Sequence, residues 1–258
     1  MSQAHPGELV SSGARALLWS MLVGLIGGVI ALMAGAALAV GTYLSAGLGS
    51  SYFGQQPIPP DLLSHIYPAL AAIVGISAVV GVVVLVLQWI GWSRLRDADR
   101  FRYGIGRTGI VLLTIGFVLL VATYAVALVT IFPSLMLMEY MGSAPTYPPY
   151  YGSAGMLAGA LAASGLMLIG ALLALVGQVM IWIGLWRLDE DYGSGLIRAS
   201  IIIELITVAV AFVTFVSADI AFAAIALDVV SYILMIVGLR AVSIRARAFA
   251  AAPAVSQA

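Results

Sequence analysis

The stretch Trp89-Ile90-Gly91-Trp92-Ser93-Arg94-Leu95-Arg96-Asp97-Ala98-Asp99-Arg100-Phe101-Arg102-Tyr103-Gly104-Ile105-Gly106-Arg107 closes one long apolar run, 66–92, and leads into another, 108–132. Between them lie five arginines and two aspartates. Four further apolar runs, 16–44, 153–186, 199–217 and 220–239, complete a set of six. All eleven basic residues of the chain are arginines, and they fall only in alternate segments between these runs. Arg15 precedes the first run, Arg187 and Arg198 lie between the fourth and fifth, and Arg240, Arg245 and Arg247 follow the sixth. Connections on the cytoplasmic side of a membrane accumulate Arg and Lys, whereas translocated ones do not. The pattern therefore predicts an all-α polytopic membrane protein with six transmembrane helices, arranged as three parallel-topology hairpins with both termini cytoplasmic.

Composition agrees with that expectation. Of 258 residues, 63% are hydrophobic and 9% charged, and the mean hydropathy is +1.13. A water-soluble domain of that composition would expose large apolar patches. One membrane domain over residues 1–258 is expected, with 241–258 as a cytoplasmic tail. The N-terminal segment carries Glu8, and the apolar run after it outlasts the core of a cleavable signal, so the first helix is expected to remain. Formal net charge is zero, which leaves no electrostatic footprint for nucleic acid. There is no cysteine, which excludes disulfides, thiolate metal sites and cysteine nucleophiles.

The opening stretch recurs. Trp182-Ile183-Gly184-Leu185-Trp186-Arg187-Leu188 echoes Trp89 to Leu95, and a Gly-containing loop is expected after each, leading to Arg107 and to Arg198. Val237-Gly238-Leu239-Arg240 is a weaker third echo. Hairpin repeats are therefore expected at about 15–94, 107–187 and 198–240, parallel in topology rather than inverted as in many secondary transporters. The five tryptophans gather near the arginine-rich ends, where indoles sit among headgroups, and tyrosines gather at the opposite ends. Gly24, Gly27, Gly28 and Gly35, and Gly155 with Gly159, have the spacing of close helix contacts. Trp89 to Leu95, then Tyr103-Gly104-Ile105-Gly106-Arg107-Thr108-Gly109, together with the recurrence at 183–198 and the ending 232–239, resemble an archaeal family of multi-pass membrane proteins, the domain of unknown function number 973. The resemblance covers roughly residues 10–242. It implies an archaeal plasma-membrane location and carries no assigned activity.

Acids within apolar helices are the sharpest functional lead, because a carboxylate in hydrocarbon is costly and faces a partner, water or the bundle interior. Glu204 and Asp228 qualify. Ser200, Glu204, Thr207, Ala211 and Thr214 are spaced 4, 3, 4, 3, which puts one polar stripe on one helix face. Counting back from a tight turn near Ala218 and Asp219 puts Glu204 level with Ile233 and Asp228 level with Ala209. At ~1.5 Å per residue the acids then differ in depth by roughly 7 Å. The candidate polar site is Glu204, Asp228 and Thr207, with Gln178 and Gln88 from the fourth and second helices. The competing reading is a neutral carboxyl group hydrogen-bonded across a helix contact.

Arg94, Arg96, Arg100 and Arg102 are expected to contact lipid headgroups, the alternative being electrostatic pairing of this connection with the one that carries Asp189, Glu190 and Asp191. Met136, Met138 and Met141 have a spacing that suits Cu(I), but methionines beside a membrane more often pack. His5 and His65 fall on opposite sides of the expected topology. Pro57, Pro59 and Pro60, and Pro145, Pro148 and Pro149, are expected to stiffen the outer connections. No metal or cofactor is expected. No Ser, His or Cys constellation for catalysis stands out, so the expectation is a non-enzymatic scaffold or accessory subunit of a membrane complex. Its expected partners are membrane lipids, other membrane subunits or further copies of itself. The alternative is a small-solute or ion transporter using the acidic pair.

Overall fold

A computed structural model describes residues 5–45, 60–127, 150–214 and 221–251. Among these residues there are six helices: α1 Pro6–Ser45, α2 Pro60–Ala98, α3 Arg100–Val126, α4 Tyr150–Tyr192, α5 Leu196–Thr214 and α6 Ala221–Ala251. Five stretches are long and apolar enough to cross a membrane: Pro6–Leu38, Ala71–Ala98, Arg100–Val126, Gly159–Tyr192 and Ala223–Ala251. The 19-residue α5 is not among them.

Most helices begin earlier or end later than the apolar runs. Pro6 and Pro60 occupy first-turn positions, where the missing N–H is no loss and the fixed φ suits a helix. Pro60 thus opens α2 rather than extending a stiff loop. His5 caps α1, its Nδ1 accepting from Gly7 N–H at 3.2 Å. The expected Gly-containing loop between the second and third apolar runs is reduced to Asp99. Its N–H still reaches the Leu95 carbonyl at 3.0 Å, while its carboxylate accepts from the N–H groups of Phe101 and Arg102, each at 3.0 Å. That is N-capping by a residue type suited to it, and Gly104 and Gly106 consequently lie inside α3. The connection from α4 to α5 does turn on glycine. Gly193 and Gly195 have φ of 59° and 68°, and Gly193 N–H closes the end of α4 on the Asp189 carbonyl at 2.7 Å.

The chain divides into two compact units. One comprises Met1–Gly28, Val79–Val111 and Gly177–Ala258 and contains every arginine. Its helices follow one another around a closed circuit. A β-carbon at Gly13 would meet Gly91 and Leu95, so α1 lies hard against α2. Trp92 of α2 reaches Gly106 of α3, Gly109 of α3 meets Gly177 of α4, and Arg198 of α5 pairs with Asp189 of α4. Ser200 of α5 bonds Ser231 of α6, and Gly7 of α1 meets Ala246 and Ala250 of α6. The first part of the expected cytoplasmic tail, 241–251, is therefore a continuation of α6, with Val242 and Ala246 buried and Arg247 Nε donating to Ser11 Oγ at 3.1 Å. In the other unit, Val29–Ala78 and Leu112–Val176, Gly116 of α3 faces Gly170 and Ala174 of α4. Gly24 and Gly27 face Val84 and Val80, whereas Gly28 and Gly35 face open space.

A common burial pattern runs through α2, α4 and α6. Around Gly91 the buried residues include Gln88, Trp92 and Leu95; around Gly184 they include Ile181, Leu185 and Leu188, with Trp182 and Asp189 also buried; around Gly238 they include Met235, Leu239 and Val242, with Ser243 also buried. The offsets of the first three are the same each time: three before, one after and four after. On the preceding helices, Leu17, Ile110 and Ile201 are buried four residues after Gly13, Gly106 and Ile197, which are the positions that face or adjoin those three glycines. The tryptophans split. Trp92 is fully buried and Trp182 8% exposed, contrary to a headgroup position for all five, while Trp19, Trp89 and Trp186 are exposed. Trp92 is drawn inward because Gly106 and Gly184 leave room for its ring: a β-carbon at either would come within 2.5 Å of it.

Candidate functional site

A cavity of about 80 Å³ opens among five helices of the arginine-containing unit. Ser20, Met21 and Gly24 of α1, Val84 and Gln88 of α2, and Gln178, Trp182 and Leu185 of α4 line it, together with Ser200 and Glu204 of α5 and Ser231, Tyr232 and Met235 of α6. Helical spacing explains the set. Gln178, Trp182 and Leu185 follow i, i+4, i+7, as do Ser200 and Glu204 at i, i+4, so each helix presents one stripe inward.

Among the described residues, Glu204 is the only acid on the wall. Trp182 Nε1 donates to its Oε2 at 3.0 Å, and Gln178 Nε2 to its Oε1 at 3.5 Å. Ser200 Oγ donates to the Ser231 carbonyl at 2.9 Å and Ser231 Oγ to the Ser200 carbonyl at 3.1 Å, with the hydroxyls 3.0 Å apart. Gln88 is 8% exposed, and its Oε1 is buried with no hydrogen-bond partner. An unmet acceptor of that kind costs about 1–3 kcal/mol.

Gln88, Gln178 and Glu204 are thus brought together, but Asp228 and Thr207 are not part of the wall. Thr207 Oγ1 bonds back to the Ile203 carbonyl of its own helix at 2.9 Å. Asp228 is exposed, one turn from Tyr232 on α6. The expected 7 Å difference in depth between the acids is also overturned. Ser200 meets Ser231, and three residues onward on α5 and three back on α6 bring Ile203 level with Asp228. The two acids therefore lie at nearly the same level. The contact between small hydroxyl residues sets this register, and a count from a turn near residue 218 does not anticipate it. Ala211 and Thr214 have no described side chains, and the methionines at 136–141 lie outside the described residues.

A denser polar network ties the arginine-rich helix ends. Asp189 has no exposed surface; Arg198 Nε lies 3.1 Å from its Oδ2 and Ser194 Oγ bonds its Oδ1. Arg198 thus balances the buried charge as an ion pair rather than through a hydrogen bond from Nε. Asp191 binds Arg102, whose Nε donates at 2.7 Å, and also accepts from the Tyr103 hydroxyl. Arg245 donates to the Tyr192 and Gly193 carbonyls at 2.5 and 2.6 Å, clamping the α4–α5 turn. Of the four arginines expected at lipid headgroups, Arg102 is turned to Asp191 and Arg94 reaches the Ser12 carbonyl at 3.5 Å. Arg96 and Arg100 instead share an open groove of about 450 Å³ with Arg107 and Thr108. Arg107 is oriented there by stacking 4.0 Å over Trp89 and donating to Ser93 Oγ at 2.7 Å.

Among the described residues no group of three or more His, Cys, Asp and Glu side chains is placed to hold a metal ion. No curated protein and no solved structure matches the chain. A family model described as "Protein of unknown function (DUF973)" matches residues 10–257, and the chain belongs to that family.

Proposed function

We propose that this chain is a non-catalytic integral membrane protein of an archaeal plasma membrane, acting as a scaffold or accessory subunit of a membrane assembly. Its six helices cross as three out-and-back hairpins, repeats of one unit, with the arginine-rich ends and both termini in the cytoplasm. The repeated burial pattern around Gly91, Gly184 and Gly238 supports the triplication. Arg96, Arg100 and Arg107 are the arginines best disposed toward anionic headgroups.

The observation that carries the scaffold reading is the contrast between two surfaces. The arginine-rich ends interlock through Gly7, Gly13, Gly106, Gly109 and Gly238, while large apolar side chains such as Met33, Val79, Leu161 and Leu168 stand 66%, 66%, 66% and 63% exposed along the helices. Helices in lipid associate through packing of small residues, and apolar ridges outside such a bundle are available to lipid or to other membrane chains. Purification from the native membrane in mild detergent, with identification of co-purifying chains, tests this. Recovery of the same membrane partner, or of a defined homo-oligomer, supports it; a solitary monomer sinks it.

A second reading, an ion or small-solute carrier, is favoured by the polar cavity around Glu204. Flux into liposomes that is abolished by Glu204→Gln supports this reading, and flux unchanged by that substitution argues against Glu204 as its site.

A further inference from the structure

The hydrogen-bond inventory of the Glu204 cavity is one-sided. The two N–H donors nearest the carboxylate, from Trp182 and Gln178, already point at it. The serine hydroxyl hydrogens are used between or within helices: Ser20 Oγ donates to the Leu17 carbonyl at 2.6 Å, and Ser200 and Ser231 donate to each other's carbonyls, which leaves Tyr232 as the one other hydroxyl among the described wall residues. The wall therefore retains lone pairs on these hydroxyl oxygens and on Glu204. Beside them stands Gln88, nine-tenths buried, whose Oε1 has no partner at all. Among the described residues no arginine or histidine lines the space. Acceptors in excess around a single acid, within an apolar bundle, call for a positively charged occupant.

Size and charge narrow the occupant. A cavity of about 80 Å³ has room for a small ion together with a few waters. One carboxylate with neutral oxygens suits a single positive charge, whereas divalent calcium sites gather six to eight oxygens and usually several carboxylates. We propose that the Glu204 cavity is a binding site for a small monovalent cation, of the size of sodium or ammonium, held by Glu204 and Gln88 with the hydroxyl oxygens of Ser20 and Ser231. This rests on the second reading above in placing an ion at Glu204, but it requires no transport.

Trp182 provides a built-in reporter, since its indole N–H is bonded to the carboxylate that would receive the ion. Full-length protein in mild detergent is titrated with sodium chloride and with ammonium chloride, choline chloride holding the ionic strength constant. Tryptophan emission and the thermal unfolding midpoint are both followed. The expected result is a saturable emission change and a raised midpoint with sodium or ammonium, and neither with choline alone. Glu204→Gln abolishes both responses, and Gln88→Leu weakens the apparent affinity about tenfold or more, while each variant keeps a cooperative unfolding transition. If Glu204→Gln fails to fold, the Gln88→Leu titration decides. The proposal is overturned if wild-type protein gives no saturable response to either cation, if the response survives Glu204→Gln, or if Gln88→Leu leaves the affinity unchanged. Binding without liposome flux leaves this site standing and retires the carrier; Glu204-dependent solute flux without cation binding does the reverse.

Discussion

Asp189 shows what a single buried charge demands. Its side chain has no exposed surface, and the turn that follows it brings Ser194 and Arg198 to its two oxygens. Arg198 is held in turn by Trp186, whose ring centre lies 5.5 Å from the guanidinium carbon. Removing Arg198, itself 37% exposed, leaves the buried Asp189 carboxylate uncompensated, at a cost of up to about 3 kcal/mol once solvent screening of the arginine is allowed for, whereas removing both costs much less than the sum. Arg198→Ala is therefore expected to lower the thermal unfolding midpoint sharply, and the double variant with Asp189→Ala to recover part of the loss. Additive losses in the four-member cycle would mean that the pair contributes nothing as a pair. Glu204 is a different case: it is met by two N–H donors, from Trp182 and Gln178, rather than by a guanidinium.

At the scale of the helix, glycines determine which surfaces come together. Trp92 of α2 is fully buried because α3 and α4 carry glycine at positions 106 and 184, and a β-carbon there would come within 2.2 and 2.5 Å of its ring. Gly106→Ala and Gly184→Ala should each destabilise by about 1–3 kcal/mol through overpacking. Combined with Trp92→Leu, which vacates the space, either should cost less than it does in the wild-type background. Thermal midpoints of the single and double variants measure that coupling, and its absence would remove Trp92 as the wedge. The α4–α5 turn imposes a separate constraint, since φ of 59° at Gly193 disfavours any side chain there. Gly193→Ala is expected to cost about 1 kcal/mol.

For the whole molecule, the alternation of arginines makes a directional statement that labelling can check. The chain has no cysteine, so a single introduced thiol reports one site without background. Phe101 is 96% exposed among the arginine-rich ends, and Ser143 belongs to the arginine-free segment between the third and fourth apolar runs. In intact cells, Ser143→Cys should react with a membrane-impermeant maleimide, and Phe101→Cys only after permeabilisation. The opposite result would invert the proposed topology.

The order of residues along the chain was enough to mark the apolar helices, the grouping of arginines in alternate segments and the one-turn spacing that puts Ser200 and Glu204 on the same helix face, but not that Thr207 would turn back to its own helix. These properties depend on local composition and helical period, which need no knowledge of distant neighbours. The tertiary structure alone decided that Trp92 enters the core, that α6 runs on to seal against α1, and that Ser200 meets Ser231. Those outcomes depend on which small residue on one helix faces which bulky one on another. A shift of a few residues in that matching moved Asp228 to the level of Glu204 without changing the periodicity of either helix, while Gln88 and Gln178, far apart in the chain, came to share a cavity with only one of the two acids.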